Sequence, residues 1–236
     1  MVMTIPQANT LWRRNGRLRF PIDGLVLYAP LWHPELSGSP FLSKDLNAHS
    51  FSVTGAVWGS TGRILDGIDD RMACPDAASL DIATSLSILA WVNATSLDAV
   101  ESHTVLTKRF GSSVNYGLNF EAAAGNKDKL QFYIHDGVAF RTVQDDTAMT
   151  TGVWHLVGAT FDSVSDAVIL YMDGVSSETG TITQAMVTNN ELLSIGGIGS
   201  AESFHGIIGE VWLYGERVLA ASEVMHIHRA TKGRYI

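Results

Sequence analysis

The chain has 236 residues, 46% of them hydrophobic and 17% charged, with 22 Gly against 6 Pro. That length and composition fit one turn-rich folded domain with a substantial apolar core, and they exclude a chain that is disordered over most of its length. The formal net charge of −8 gives no support to specific nucleic-acid recognition.

Residues 1–20 carry no periodic pattern and read as a basic N-terminal arm, with Trp12, Arg13, Arg14, Arg17 and Arg19 as its anchoring groups. Together with Arg229, Lys232 and Arg234 after the last acidic residue, Glu223, the two ends hold 7 of the 16 basic residues and no acid. The middle is left with 9 against 24, or −15. Such an arm suits docking on an acidic assembly partner; the alternative is a solvated leader. The first twenty residues contain no continuous apolar h-region, and no later run approaches the roughly 18 apolar residues of a membrane helix. Membrane insertion and classical secretion are therefore not expected; the location stays open, with a virion or a nonclassical extracellular route compatible with the sequence. Cys74 is the single cysteine, so no intrachain disulfide can form and the core alone must hold the fold.

Leu25–Leu31 is a short apolar run followed by Pro34, Gly38 and Pro40, as suits a first strand at a sheet edge. Phe51–Val57 alternates, and Arg63–Arg71 reads as a strand broken by an acidic Gly turn. Leu86–Asn93 is continuously apolar, the mark of a central buried strand. His103–Phe110, Tyr116–Phe120 and Lys129–His135 continue at the short spacing of a sandwich. In the last of these Leu130, Phe132 and Ile134 alternate with Gln131, Tyr133 and His135, which predicts one polar face. Val153–Phe161, Ala167–Met172 and Leu192–Ile195 add three strands, and Asp173-Gly174 is a strong hairpin signal. The stretch from Phe204 to Tyr214 reads as a strand with Val211 and Leu213 on one face and Glu210, Trp212 and Tyr214 on the other. Large aromatics seldom stay bare, so another part of the chain is expected to cover Trp212. Only Ala220 to about Thr231 looks helical. Residues 21–236 thus read as one all-β domain, an antiparallel two-sheet jelly-roll sandwich with a short C-terminal helix.

In chain order, Leu65-Asp66-Gly67-Ile68-Asp69-Asp70, Pro75 with Ser79-Leu80, Ser87-Ile88-Leu89-Ala90-Trp91-Val92, Gly152-Val153-Trp154-His155-Leu156-Val157, Leu170-Tyr171-Met172-Asp173-Gly174, Ile195-Gly196 and Phe204-His205-Gly206 into Gly209-Glu210-Val211-Trp212-Leu213-Tyr214 form an ordered set. That set, spanning about residues 24–226, resembles the laminin G-like, pentraxin-like branch of the concanavalin A-like lectin and glucanase superfamily. The resemblance implies two packed antiparallel sheets and a module that usually binds glycans or proteins without catalysis. Two positions depart from the family's pattern: Gly209 stands where an Asp is common, and Trp212 where a basic residue is common.

Hydrolases among the relatives carry a strand beginning Glu-x-Asp, which aligns carboxylates on one sheet face. No Glu here is followed two places later by Asp, and no nucleophile elbow, zinc motif or phosphate loop is present. Asp66, Asp69 and Asp70 are the metal candidates, and calcium is the ion such clustered oxygens would take. The competing reading, favoured by Gly209, is a turn whose aspartates accept its own amides. For a glycan, Trp58, Lys108, Arg109, Asn115, Tyr116, Tyr133 and His135 are the candidates, because aromatics stack on sugar rings and polar groups bond hydroxyls. The sequence as a whole points to a noncatalytic lectin-like module for a glycan or glycoprotein, displayed on a larger assembly and with homo-oligomers open to it. The alternatives are a decoration subunit docked through its arm and a polysaccharide hydrolase or lyase.

Overall fold

The protein is described by a computed structural model covering residues 13–14, 17–18, 20–97, 101–110, 113–122, 127–199 and 202–236. The arm residues Trp12 and Arg19 lie outside the described residues. Between them β1 (Arg13–Arg14) pairs antiparallel with β2 (Arg17–Leu18).

Chain order continues with β3 (Leu25–Pro30), β4 (Phe41–Leu42), β5 (Ser50–Thr54), β6 (Val57–Gly59), β7 (Gly62–Asp66), β8 (Arg71–Cys74) and β9 (Leu86–Ser96). Next come β10 (His103–Phe110), β11 (Ser113–Phe120), β12 (Lys129–His135), β13 (Phe140–Ala148) and β14 (His155–Asp162). The last elements are β15 (Ala167–Met172), β16 (Val175–Thr181), β17 (Leu193–Ile195), β18 (His205–Gly215) and α1 (Ala221–Thr231). The first large sheet runs β16-β15-β14-β9-β18-β7-β6 with β3 also on β18, and the second runs β13-β12-β11-β10-β17-β8-β5-β4. Every pairing among them is antiparallel.

The continuous apolar character of β9 follows from its burial on both faces. Ile88, Ala90 and Val92 enter the core between the sheets, while Leu89 and Trp91 join a second cluster on the first sheet's outer face. α1 supplies Val224 and Ile227 to that second cluster, and Trp91 Nε1 donates to Thr231 Oγ1 at 2.8 Å. β18 divides in the same way: Val211 and Leu213 face the inner core, Trp212 and Tyr214 the outer cluster. Trp212 is covered by its own chain, stacked on Tyr28 at 5.6 Å and met edge-on by Phe20 at 5.9 Å.

Gly209 has a local steric reason. A Cβ there would lie 2.6 Å from Tyr235 Cε1, because the C-terminal ring packs directly on the β18 backbone at a register shift. The Tyr235 and Tyr28 hydroxyls both reach Glu210, at 3.4 and 2.9 Å, so this fully buried carboxylate has donors on both oxygens. The Asp173-Gly174 hairpin forms as expected, both residues with positive φ (53° and 82°) between Met172 and Val175. Cys74 is buried, and desolvation pushes its thiol up to about 12, which leaves it inert. Among the described residues no helix is long and apolar enough to cross a membrane.

Candidate functional site

The second sheet turns Tyr116, Leu118, Phe120, Leu130, Phe132, Ile134 and Val143 into the core. Period-two geometry then places Gly117 and Asn119 of β11, Gln131 and Tyr133 of β12, and Phe140 and Thr142 of β13 on the outer face. There all of them but Gly117 line a cleft of about 310 Å³, joined by Ser102, Arg109, Glu121 and Glu202.

Tyr133 forms part of the cleft wall. Its ring lies over Gly117, where any Cβ would sit 2.2 Å from Tyr133 Cζ, and its hydroxyl donates to Thr107 Oγ1 at 2.7 Å. Burial, opposed by that hydrogen bond, pushes the phenol up to about 12, so it stays neutral. Phe140, 45% exposed, offers the open aromatic surface. Tyr133 and His135 meet its ring edge-on at 5.5 and 5.4 Å, and the Arg109 guanidinium lies 5.4 Å from the ring centre.

Arg109 Nη1 donates to Glu202 Oε2 at 2.8 Å. Burial raises the Glu202 pKa; the arginine opposes this, and the neighbouring charges of Glu101 and Glu121 add to it. Glu121 accepts from Ser102 Oγ at 3.2 Å, Gln131 Nε2 at 3.2 Å and the Ala122 amide at 2.9 Å. Asn119 is only 4% exposed, and its Oδ1 finds no donor among the described residues.

Of the residues singled out from sequence, Arg109 and Tyr133 line this cleft and His135 supports its aromatic edge. Trp58 is on β6 of the other sheet, half-buried and separate from the cleft. Three placements are corrected by burial. Tyr116 shares the inward phase of Leu118 and Phe120, and its hydroxyl donates to Leu80 O at 3.0 Å. Asn115 lies under the segment before β17, its Nδ2 donating to Val187 O at 2.7 Å and Ile82 O at 3.2 Å. Lys108 is fully buried, its Nζ within 2.5 Å of Asp76 Oδ1, 3.1 Å of Asp81 Oδ1, 2.8 Å of Asn189 O and 3.0 Å of Glu191 O. None of these three side chains can stack on or bond a sugar from such a position.

Asn119, Gln131, Phe140, Thr142, Glu121 and Glu202 were not anticipated. The polar face of Lys129–His135 already contained Gln131, and extending that alternation to β11 and β13 would have found Asn119, Phe140 and Thr142. Glu202 arrives from far along the chain, and nothing local signals it.

Asp66, Asp69 and Asp70 do come together, with one oxygen from each within 4.8 Å of the others. Two of them serve their own loop: Asp66 Oδ1 accepts the Ile68 amide at 2.8 Å, and Asp70 Oδ2 accepts the Asp66 amide at 2.9 Å.

Residues 66–225 match the family model described as the Concanavalin A-like lectin/glucanases superfamily. A comparison with curated protein sequences yields no match. Among solved structures, the chain is similar to domain 4 of AbnA, an extracellular arabinanase of Geobacillus stearothermophilus in complex with arabinotriose. That likeness has 19% identity and a TM-score of 0.66, and covers 86% of this chain and 98% of that one. It is also similar to the binding domain of Paraclostridial Mosquitocidal Protein 1 (14% identity, TM-score 0.62, 86% of this chain and 51% of that one). A third likeness is to a Trypanosoma rangeli sialidase (16% identity, TM-score 0.65, 92% of this chain), of which the chain spans only 34%. Identities this low establish a shared fold.

Proposed function

The chain belongs to the concanavalin A-like lectin/glucanases superfamily, and from that premise we propose that it is a noncatalytic carbohydrate-binding module whose ligand occupies the cleft on the second sheet. The observation that carries this reading is the cleft's composition. A part-exposed aromatic, Phe140, stands beside a ring of amide, hydroxyl, carboxylate and guanidinium groups, the pairing that suits the apolar face and hydroxyl rim of a sugar. Similarity to a domain solved with arabinotriose is in keeping with it. The noncatalytic part rests on how the cleft's carboxylates are engaged: Glu202 is tied to Arg109, and Glu121 takes three donors from its own surroundings.

The test is a broad glycan array followed by calorimetry with Phe140→Ala. This variant should stay within a few degrees of the parent in melting temperature and lose binding by about tenfold or more. Binding that survives Phe140→Ala would move the site elsewhere, and an array without a single ligand would overturn the function. Reducing-end release from any polysaccharide would contradict the noncatalytic part.

The basic arm extends the proposal to display on a larger assembly. Four arginines without an acid in the first twenty residues are suited to an acidic docking surface. Deleting residues 1–19, which spares the buried Phe20 packed on Tyr28 and Trp212, should abolish that docking and leave glycan binding intact.

A further inference from the structure

Given the carbohydrate reading above, on which this inference rests, we propose that the cleft selects uncharged, hydroxyl-rich sugars against acidic ones, and that Asn119 is the residue that reads a sugar hydroxyl. Two independent observations converge on it.

The first is charge. Among the described residues the cleft walls carry one cation, Arg109, and two acids, Glu121 and Glu202, with Glu101 directly behind, its Oε2 accepting the Glu202 amide at 3.0 Å. The cation is already engaged by Glu202 at 2.8 Å and lies against the Phe140 ring. An incoming uronate, sialate or sulfate would have to displace a glutamate from Arg109 while approaching a second glutamate a short way off. Like charges in a partly buried cleft repel more strongly than in bulk water, so this arrangement discriminates against anions without touching their neutral counterparts.

The second is an unsatisfied acceptor. Asn119 is 4% exposed and lines the cleft, yet its Oδ1 has no donor among the described residues. A buried carbonyl oxygen left bare is costly, and that cost is relieved when a ligand brings a donor. A sugar hydroxyl has an O–H to give. An ionised carboxylate or sulfate only accepts, and would face Oδ1 lone pair to lone pair. The cleft thus asks at Asn119 for a hydroxyl, which the ionised group of a uronate, sialate or sulfate cannot supply, while its glutamates repel that group's charge.

The experiment is calorimetry and array binding of the full chain with matched probes: lactose against sialyllactose, and methyl-esterified oligogalacturonate against oligogalacturonate. Neutral members should bind at least about tenfold tighter than their acidic partners. Glu121→Gln should narrow that ratio. Asn119→Leu, similar in volume but without the acceptor, should weaken neutral sugars by about tenfold while leaving the melting temperature equal or higher, because the oxygen it removes was unsatisfied in the free protein. Equal or tighter binding of the acidic partner, or an Asn119→Leu protein with undiminished affinity and an intact fold, would overturn the selectivity and leave the carbohydrate reading standing. If neither neutral nor acidic sugars bind, the carbohydrate reading fails and takes this inference with it. Should Asn119→Leu not fold, Asn119→Asp supplies the same answer, since an added negative charge should widen the neutral-to-acidic ratio, and a narrowed ratio would overturn the proposal.

Discussion

Gly117→Ala should damage this protein far more than a Gly-to-Ala change in a strand ordinarily does. The added methyl would lie 2.2 Å from Tyr133 Cζ, 2.3 Å from its hydroxyl oxygen and 2.8 Å from Cε1. Carbon atoms rest at about 3.5–4.0 Å, so the ring must retreat by more than about 1 Å. That movement breaks the 2.7 Å bond to Thr107 and pulls the ring from Phe140. Overpacking costs about 1–3 kcal/mol and the lost hydrogen bond about 1 more, for a total of about 2–4 kcal/mol. In a chain of this size each kcal/mol moves the melting temperature by about 2–4 °C, so a fall of about 5–15 °C is expected, together with weakened sugar binding. Thermal and urea unfolding measure it, with Gly233→Ala as control because nothing lies within 4 Å of a Cβ there. In a Tyr133→Ala background the same substitution should cost less than about 0.5 kcal/mol, since the clash has been removed. A melting point within about 2 °C of the parent, or an equal cost in both backgrounds, would refute the reasoning.

Three further outcomes follow from other parts of the molecule. Lys108→Met leaves Asp76 and Asp81 without their shared cation; because both are about 30% exposed, the expected loss is about 2–4 kcal/mol, at the low end for a broken buried pair, read by urea titration. Burial lowers the His103 pKa below its usual 6.5, outweighing the backbone hydrogen bonds to Ser203 and Leu97 that oppose it, and Nδ1 lies 2.9 Å from Ser203 O. The unfolded chain then binds the extra proton, so stability should fall as pH drops from 7 through 6.5 toward the depressed folded value, and His103→Gln should flatten that slope in urea midpoints. Millimolar calcium or a chelator should leave the melting temperature unchanged, because the Asp66 and Asp70 carboxylates are occupied by amides of their own turn; a rise with calcium would assign a metal to the Asp66, Asp69 and Asp70 loop.

The sandwich was legible in the sequence because its signals are local. β9 announces double burial by an unbroken apolar run, β12 announces its two faces by alternation, and Asp173-Gly174 marks its own hairpin. β13 escaped because only Val143 of its apolar residues turns inward and it lies at the sheet edge, so no apolar pattern betrays it. The site was legible only where strand phase decides exposure. Tyr133 and Arg109 reach the cleft, but Lys108 and Asn115 disappear beneath the segment around Val187 to Glu191, more than seventy residues away in sequence. Tyr116 was misread against its own strand, whose alternation with Leu118 and Phe120 already pointed its ring inward.

The surroundings of Lys108 have one more implication. Two carboxylates, two main-chain carbonyls and the Asn189 side-chain oxygen converge on a single Nζ, a shell that elsewhere in proteins holds a hard metal ion. Here the positive charge is tethered by four methylenes to the middle of β10. It cannot be chelated, exchanged or diluted away, so the latch between the segment before β17 and the second sheet needs no metal ion from the medium. The strands that carry the cleft can therefore keep their shape in calcium-poor surroundings as well as in calcium-rich ones.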